Sequence, residues 1–178
     1  MNDVVIIDAS IAMTRIRRQS GWEDVNARLA AWQRGGTSLL VPSHFWLEVS
    51  NGLTRRHRLT GSHVVEAIHR LDEIGLTTVE VDRPMLLLAV DRAERFVLTT
   101  YDAAYLALAE SLDAILFSTD RALLAAAGTR GVSPTDFGDH RLSEAPVAYG
   151  VERRSTWPDY SGASAYLAKL RSEATRPS

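Results

Sequence analysis

Short apolar runs alternate with longer stretches of helical periodicity along most of the chain. The first run, Val4–Ile7, is rich in β-branched residues and ends abruptly at Asp8, which predicts a strand buried on both faces of a parallel sheet. Further short strands are predicted over 39–41, 77–81 and 114–117.

Helices are predicted between these strands, where apolar residues recur every three or four positions. Ser43 is a candidate N-cap for one of them, Pro84 suits the first turn of another, and Thr99 or Thr100 is expected to cap a third. The predicted helices cover 22–35, 43–57, 62–74, 84–96, 100–112 and 120–127. Alternating strands and helices indicate a three-layer α/β/α sandwich with a mainly parallel sheet.

The length of the chain and a change in its composition predict where the folded domain ends. With 178 residues, 46% of them hydrophobic and 24% charged, the chain is long enough for one globular domain with room for an appendage. Prolines, glycines and serines become frequent after residue 134. We therefore expect a compact domain over 1–137 and a loop-rich extension over 138–178, with one helix at about 163–173.

Several classes of protein are disfavoured by what the sequence lacks. The absence of cysteine removes thiol catalysis and cysteine-based zinc sites, and it fits a reducing cytoplasm. The apolar runs are too short to span a bilayer, and no basic segment precedes the first one, as a signal peptide would require. A net charge of −2 gives no overall positive field of the kind that marks many nucleic-acid binders.

Four carboxylates stand where chemistry is expected in such a fold. Asp8 and Asp120 follow predicted strands, and the carboxyl ends of parallel strands meet at the same edge of a sheet. Asp102 falls in the first turn of a helix, where the backbone favours an anion. Glu48 lies one turn into its helix, near the buried flank. Taken singly, each acid is at least as well explained as a turn, cap or surface residue, but the joint arrangement is harder to explain in that way.

Anions brought together in this manner need a counter-ion. Two unit charges 4 Å apart repel by about 4 kcal/mol at an effective dielectric constant near 20. Oxygen ligands favour Mg²⁺ or Mn²⁺ over zinc, and the five histidines show no zinc-binding spacing. The sequence therefore predicts a site for a hard divalent cation.

Four segments, taken in order, resemble the acidic motifs of PIN domains. They read VVIIDAS, HFWLEVSNGLTRR, TTYDAAYLALAESLDA and ILFSTDRALLAAA, and the segment GVSPTDF resembles the usual end of such domains. The resemblance covers about residues 3 to 137 and is strongest to VapC toxins of type II toxin–antitoxin pairs.

This resemblance implies roles for individual residues. Asp8, Glu48, Asp102 and Asp120 correspond to the catalytic, metal-binding acids of the family. Ser10 and Ser118 correspond to hydroxyl residues that orient these ligands. Asn51 is a further candidate for that role. Arginines follow the first, second and fourth motifs, with Arg56 and Arg58 in the second of these runs. Those singled out as candidates for binding the substrate are Arg15, Arg18, Arg55 and Arg121.

The implied function is hydrolysis of RNA phosphodiester bonds by a Mg²⁺- or Mn²⁺-dependent endoribonuclease, leaving a 5′-phosphate and a 3′-hydroxyl. The implied partners are RNA, a cognate VapB-like antitoxin and a second copy of the chain. A housekeeping RNA-processing PIN nuclease and a non-catalytic PIN module that binds RNA or protein remain as alternatives. A phosphatase of the HAD type would need a second aspartate two residues after Asp8, where Ser10 stands, and a receiver domain would need a lysine where Lys169 cannot serve.

Overall fold

The computed structural model describes residues 4–136 of the chain. Strands and helices alternate from the first described residue, as the hydrophobic pattern predicts. The elements of this part of the chain are β1 (Val4–Ile7), α1 (Ala9–Arg17), α2 (Trp22–Arg34), β2 (Ser38–Pro42), α3 (Phe45–Asn51), a π-helical turn (Gly52–Arg56), α4 (Gly61–Asp72), β3 (Thr77–Val79), α5 (Arg83–Phe96), α6 (Thr100–Ser111), β4 (Ile115–Phe117), α7 (Arg121–Ala127), a 3₁₀ turn (Gly128–Arg130) and β5 (Gly131–Val132).

The five strands form one parallel sheet in the order β3-β2-β1-β4-β5. Val5 in the central strand pairs with Leu39 of β2 on one side and with Ile115 of β4 on the other. All four residues of β1 are buried, because a central parallel strand is covered by helices on both faces. Helix α6 packs against β1, β2 and β4. The predicted α/β fold with a parallel sheet is confirmed.

The order of the strands creates a crevice beside β1. The chain builds the sheet outward from β1 through β2 to β3, then returns to the other side of β1 with β4. In open parallel sheets, ligands bind outside the carboxyl ends of the strands where the direction of winding reverses. Asp8 follows β1, and Ser118 follows β4, so both lie at this reversal point.

Helix starts agree with the sequence where a side chain caps the helix. The Thr99 side chain accepts a hydrogen bond from the backbone of Asp102, and Asp120 accepts one from Leu123 in the same way. Pro84 lies in the first turn of α5, where its missing N–H costs nothing.

The predicted helix over 43–57 begins later and ends differently. Ser43 is not its N-cap: the backbone N–H of Ser43 donates to Val79 and its hydroxyl accepts from Val81, so both groups hold the end of β3. The α-helix begins at Phe45, and from Gly52 the backbone continues as a π-helical turn.

Helix α1 has no counterpart among the predicted elements. It starts directly after Asp8, and its inward face combines two alanines and a threonine with Ile11, so its apolar periodicity is weak. Strand β5 is also additional to the predicted set, since two residues are too few to carry a pattern.

The predicted extension over 138–178 and its helix at 163–173 lie outside the described residues, as does the end of the domain predicted at residue 137. Within residues 4–136, no helix has both the length and the apolar character needed to cross a membrane.

Candidate active site

A cleft of 390 Å³ opens at the carboxyl end of the sheet, beside β1. The four acids singled out in the sequence, Asp8, Glu48, Asp102 and Asp120, all line it. They arrive from four places in the fold: the end of β1, helix α3, the first turn of α6 and the N-terminus of α7. Segments more than a hundred residues apart in the chain thus contribute to one concave surface.

Asp8 is the most enclosed of these carboxylates, with 3% of its surface exposed. Its Oδ2 accepts hydrogen bonds from the hydroxyls of Ser10, at 2.5 Å, and of Ser118, at 2.7 Å. Burial raises the pKa of Asp8, the two hydroxyls oppose that rise, and repulsion from Asp102 adds to it. The two serines therefore hold the carboxylate in one orientation and favour its charged form.

The same hydroxyls tie Asp8 to the loop that carries the last acid. Ser10 Oγ accepts from the backbone N–H of Thr119 at 3.0 Å, and Ser118 Oγ accepts from that of Asp120 at 2.9 Å. Each serine thus donates to the carboxylate while accepting from the β4–α7 loop, which couples the positions of Asp8 and Asp120. Ser118 is fully buried and needs both bonds to satisfy its hydroxyl.

Glu48 faces the cleft from α3 and is half-buried. Its Oε2 accepts a hydrogen bond of 2.9 Å from the hydroxyl of Tyr105, a fully buried residue of α6 whose ring packs edge-on against His44. Burial raises the pKa of Glu48 to about 7; the Tyr105 hydroxyl opposes this rise, and repulsion from Asp8 and Asp102 reinforces it. Near neutral pH, Glu48 can therefore hold or release a proton.

Asp102 and Asp120 are fixed by the starts of their own helices. Thr99 Oγ1 accepts from the backbone N–H of Asp102 and so caps α6, and the same hydroxyl donates to Asp102 Oδ2 at 2.6 Å. Asp120 Oδ1 accepts a hydrogen bond from the backbone N–H of Leu123. Asp120 is exposed and lies at the edge of the cleft. Both acids thus lie at the N-terminal ends of helices, Asp102 in the first turn of α6 and Asp120 as the N-cap of α7.

The chemistry of these donors fits a hard divalent cation. Every acidic group in the cleft supplies carboxylate oxygen, and Asp8 has no cationic partner within residues 4–136. In that same range, no three acidic or histidine side chains are close enough together to form a ready-made cation site. Like charges facing one cleft without a counter-ion are expected to stay apart, so the carboxylates would have to close around a bound ion.

The remaining predicted residues do not all lie in the cleft. Asn51 lines the acidic cleft together with Ser10. Arg15 and Arg18 instead line a separate groove of 640 Å³ between α1, α2 and α4, beside Trp22. Arg55 and Arg121 are exposed, and neither is among the described residues that line the cleft.

One participant escapes the sequence-based prediction. The ring of Tyr105 lies in the apolar core, and nothing in the sequence pattern indicates that its hydroxyl reaches Glu48. Arg56 lines the cleft, whereas the candidate singled out from the same run of arginines in the sequence is its neighbour Arg55. The threonine that precedes Asp102 by three residues, predicted as a cap, also bonds the Asp102 carboxylate.

Comparison with known proteins identifies the family of the chain. The family model of the PIN domain matches residues 5–128, which include all four acids. The chain belongs to the PIN domain family. This PIN domain is also 33% identical over 123 residues to Ribonuclease VapC3 from two strains of Mycobacterium tuberculosis, a match that covers 67% of this chain and 84% of the relative.

Two solved structures share the fold of this PIN domain. One is PAE2754 from Pyrobaculum aerophilum, with a TM-score of 0.52 and 23% identity, covering 73% of this chain and 88% of the other. The second is a toxin–antitoxin complex from Klebsiella pneumoniae, with a TM-score of 0.54 and 19% identity, covering 73% of this chain and 97% of the other. At these identities the likeness concerns the fold.

Proposed function

We propose that this PIN domain is a divalent-metal-dependent endoribonuclease and the toxin of a type II toxin–antitoxin pair. The observation that carries the proposal is the meeting of Asp8, Glu48, Asp102 and Asp120 in one cleft at the reversal point of the sheet. The relation to Ribonuclease VapC3 supports RNA as the substrate, and the fold shared with a toxin–antitoxin complex supports an antitoxin as partner.

Asp8, Asp102 and Asp120 would hold Mg²⁺ or Mn²⁺, with Glu48 beside them. The chemistry that such an ion supplies when bound is acidification of water and neutralisation of charge on the phosphoryl group. The chain itself supplies the orientation of the ligands. Ser10 and Ser118 fix Asp8 Oδ2, and the Thr99 hydroxyl fixes Asp102 Oδ2.

Glu48 is the group best suited to accept a proton from the attacking water. It faces the same cleft as the other acids, and the Tyr105 hydroxyl holds one of its oxygens in place. Water adds to phosphorus while the bond from phosphorus to the 3′ oxygen breaks. The 3′ oxygen takes up a proton from solvent and leaves as a hydroxyl, Glu48 returns its proton to solvent, and the phosphate stays on the 5′ side.

Partners and location follow from the same proposal. A VapB-like antitoxin would bind the chain and restrain it, the chain would pair with a second copy of itself, and both would act in the cytoplasm, where RNA is available. Expression with and without the neighbouring reading frame tests this part. Growth arrest that the neighbour relieves is the expected result, and arrest that persists would contradict it.

The test of activity compares wild type with Asp8→Asn on single-stranded RNA, with mapping of the cleaved ends. Asparagine keeps an oxygen for both serines, so the fold should survive while cleavage falls to background. Asp24→Asn, an exposed acid of α2 away from the cleft, is the matched control and should cleave normally. Chelation should stop the wild-type reaction, and Mg²⁺ or Mn²⁺ should restore it.

Two results would contradict the proposal. Full cleavage by Asp8→Asn would show that the carboxylate of Asp8 is not needed for the reaction. Failure of the wild-type protein to cleave any RNA in Mg²⁺ or Mn²⁺, while still binding it, would favour a non-catalytic PIN module.

A further inference from the structure

The helix that carries Glu48 changes its geometry within two turns of that residue. From Gly52 to Arg56 the backbone forms a π-helical turn, closed by a hydrogen bond of 3.2 Å from the His57 N–H to the Gly52 carbonyl, five residues back. The Thr54 hydroxyl donates to the Ser50 carbonyl at 2.9 Å in the turn before. Single π turns are uncommon, and they occur frequently at functional sites.

The π turn changes which side chain faces the cleft. In an uninterrupted α-helix, the residue seven positions after Glu48 returns to the same face, which would select Arg55. A π turn takes one more residue to complete its circuit, so the following position takes that place. The lining of the cleft follows this shift, because α3 and its continuation contribute Glu48, Asn51, Gly52, Arg56 and His57, but not Arg55.

Arg56 brings positive charge to a surface that is otherwise acidic. Among the described residues that line the cleft, it is the one arginine or lysine. It is exposed, and within residues 4–136 it forms no ion pair, although four carboxylates share the cleft with it. Its guanidinium is therefore not committed to the acids and remains able to bind another anion.

RNA needs such a group at this point. A phosphodiester approaching four carboxylates is repelled, and a guanidinium offers two parallel hydrogen bonds to the oxygens of one phosphate. Arg15 and Arg18 line the separate groove and are not among the residues that line the cleft, so they cannot bind a phosphate there.

We propose that the π-helical turn places Arg56 in the cleft to bind a backbone phosphate of the RNA next to the bond that is cut. This inference rests on the proposed ribonuclease function and adds to it a residue that recognises the substrate. Arg55, one position earlier in the same turn, takes no part in this contact.

The experiment measures equilibrium binding of a fluorescently labelled single-stranded RNA to Asp8→Asn protein, in which RNA stays intact and one acidic charge of the cleft is removed. Arg56→Gln and Arg55→Gln are compared in this background. They remove the same charge from adjacent exposed positions, so any general electrostatic effect is equal in both. Arg56→Lys, which keeps the charge but loses the fork of donors, is the third variant.

Arg56→Gln should weaken binding by about tenfold, the loss expected for one charge-assisted hydrogen-bonded contact. It should also reduce the slope of log affinity against log salt by about 0.7, the value for one phosphate contact on a single strand. Arg55→Gln should change neither quantity appreciably. Arg56→Lys should restore the slope and only part of the affinity.

Equal effects of the two glutamine variants, or a larger effect at Arg55, would overturn the assignment, as would a parent protein that binds no RNA. These outcomes remain distinct from failure of the ribonuclease proposal. Wild-type protein is assayed for cleavage in parallel. If wild type cleaves RNA while Arg56→Gln and Arg55→Gln bind it equally well, the role of Arg56 is rejected and the ribonuclease proposal stands.

Discussion

The two walls of the acidic cleft are built in different ways. On the strand wall, Asp8 is buried and is held by hydroxyls from both its own helix and a residue 110 positions away. On the helix wall, Asp102 and Asp120 are more exposed, and each is held by the first turn of its own helix. Long-range bonds fix one wall, and local capping fixes the other.

The two kinds of support have different energetic consequences for the acids that they hold. The buried carboxylate of Asp8 is costly to charge, so its network of hydrogen bonds contributes both to the fold and to the orientation of a ligand oxygen. The helix-borne acids are more exposed, so charging them costs less, and the bonds at their helix starts hold them in place. Glu48 lies between the two cases, since it is half-buried but depends on a bond from a distant element, that of Tyr105.

The largest effect is expected from Ser118→Ala on the strand wall. The change removes a hydrogen bond to Asp8 and leaves the backbone N–H of Asp120 without its acceptor, so ligand orientation and loop position are lost together. Loss of one such supporting residue typically lowers metal affinity or activity about 10- to 100-fold. The control is Ser111→Ala on α6, whose hydroxyl bonds only a helix carbonyl. A steady-state cleavage assay that finds the two variants equally active would contradict the role of Ser118 in holding Asp8 and the loop that carries Asp120.

A smaller effect, on stability, is expected from Glu48→Gln. Because the folded-state pKa of Glu48 is raised to about 7 from an ordinary 4.5, ionising it disfavours the fold. Metal-free wild type should therefore lose stability as pH rises through this window, and the glutamine variant should lose less, because only Asp8 then retains a raised pKa in the cleft. At pH 8 the variant should melt roughly 2–4 °C higher than wild type. This shift corresponds to a gain of about 1 kcal/mol in the free energy of unfolding for a chain of this size, after discounting for the partial exposure of Glu48. At pH 4.5 the two melting temperatures should coincide.

Thermal melts of Glu94→Gln provide the comparison for this effect, since Glu94 is an exposed acid of α5. That variant should follow wild type at both pH values. A Glu48→Gln protein that melts below wild type at pH 8 would show that the carboxylate is not crowded by its neighbours.

The smallest effect is expected from Tyr105→Phe, which removes a hydroxyl and leaves the ring in the core. The lost hydrogen bond had favoured the charged form of Glu48, so the pKa of Glu48 should rise further. The acid side of the pH–rate profile should move to higher pH while the plateau rate changes little. Tyr101→Phe, at an exposed tyrosine one turn earlier, should leave the profile in place, and an unchanged profile in Tyr105→Phe would exclude coupling between the two residues.

Sequence alone anticipates the acids of both walls, by different local signals. Asp8 is readable because a short buried strand ends abruptly at a charged residue, and parallel strands bring such ends to one edge. Asp102 and Asp120 are readable because capping residues precede or constitute them. These signals depend on neighbouring residues only, and the strand end and the helix starts that they predict are present in the structure.

The parts that could not be predicted depend on contacts between elements or on a change of helical geometry. The hydroxyl of Tyr105 is polar at the tip of a residue that otherwise belongs to the core, so periodicity cannot reveal its partner. The π-helical turn leaves no mark in the apolar pattern, yet it moves the cleft-facing position from Arg55 to Arg56.

The most direct measurement is the melting temperature of wild type and of Asp8→Asn, each without metal and with Mn²⁺. In chelated buffer, Asp8→Asn should melt higher than wild type, because repulsion in the cleft is relieved. Mn²⁺ at a hundredfold excess over its Kd should raise wild type by roughly 5–10 °C and leave the variant nearly unchanged. An equal rise in both proteins, or a metal-free Asp8→Asn that melts below wild type, would contradict a divalent-cation site built on these carboxylates.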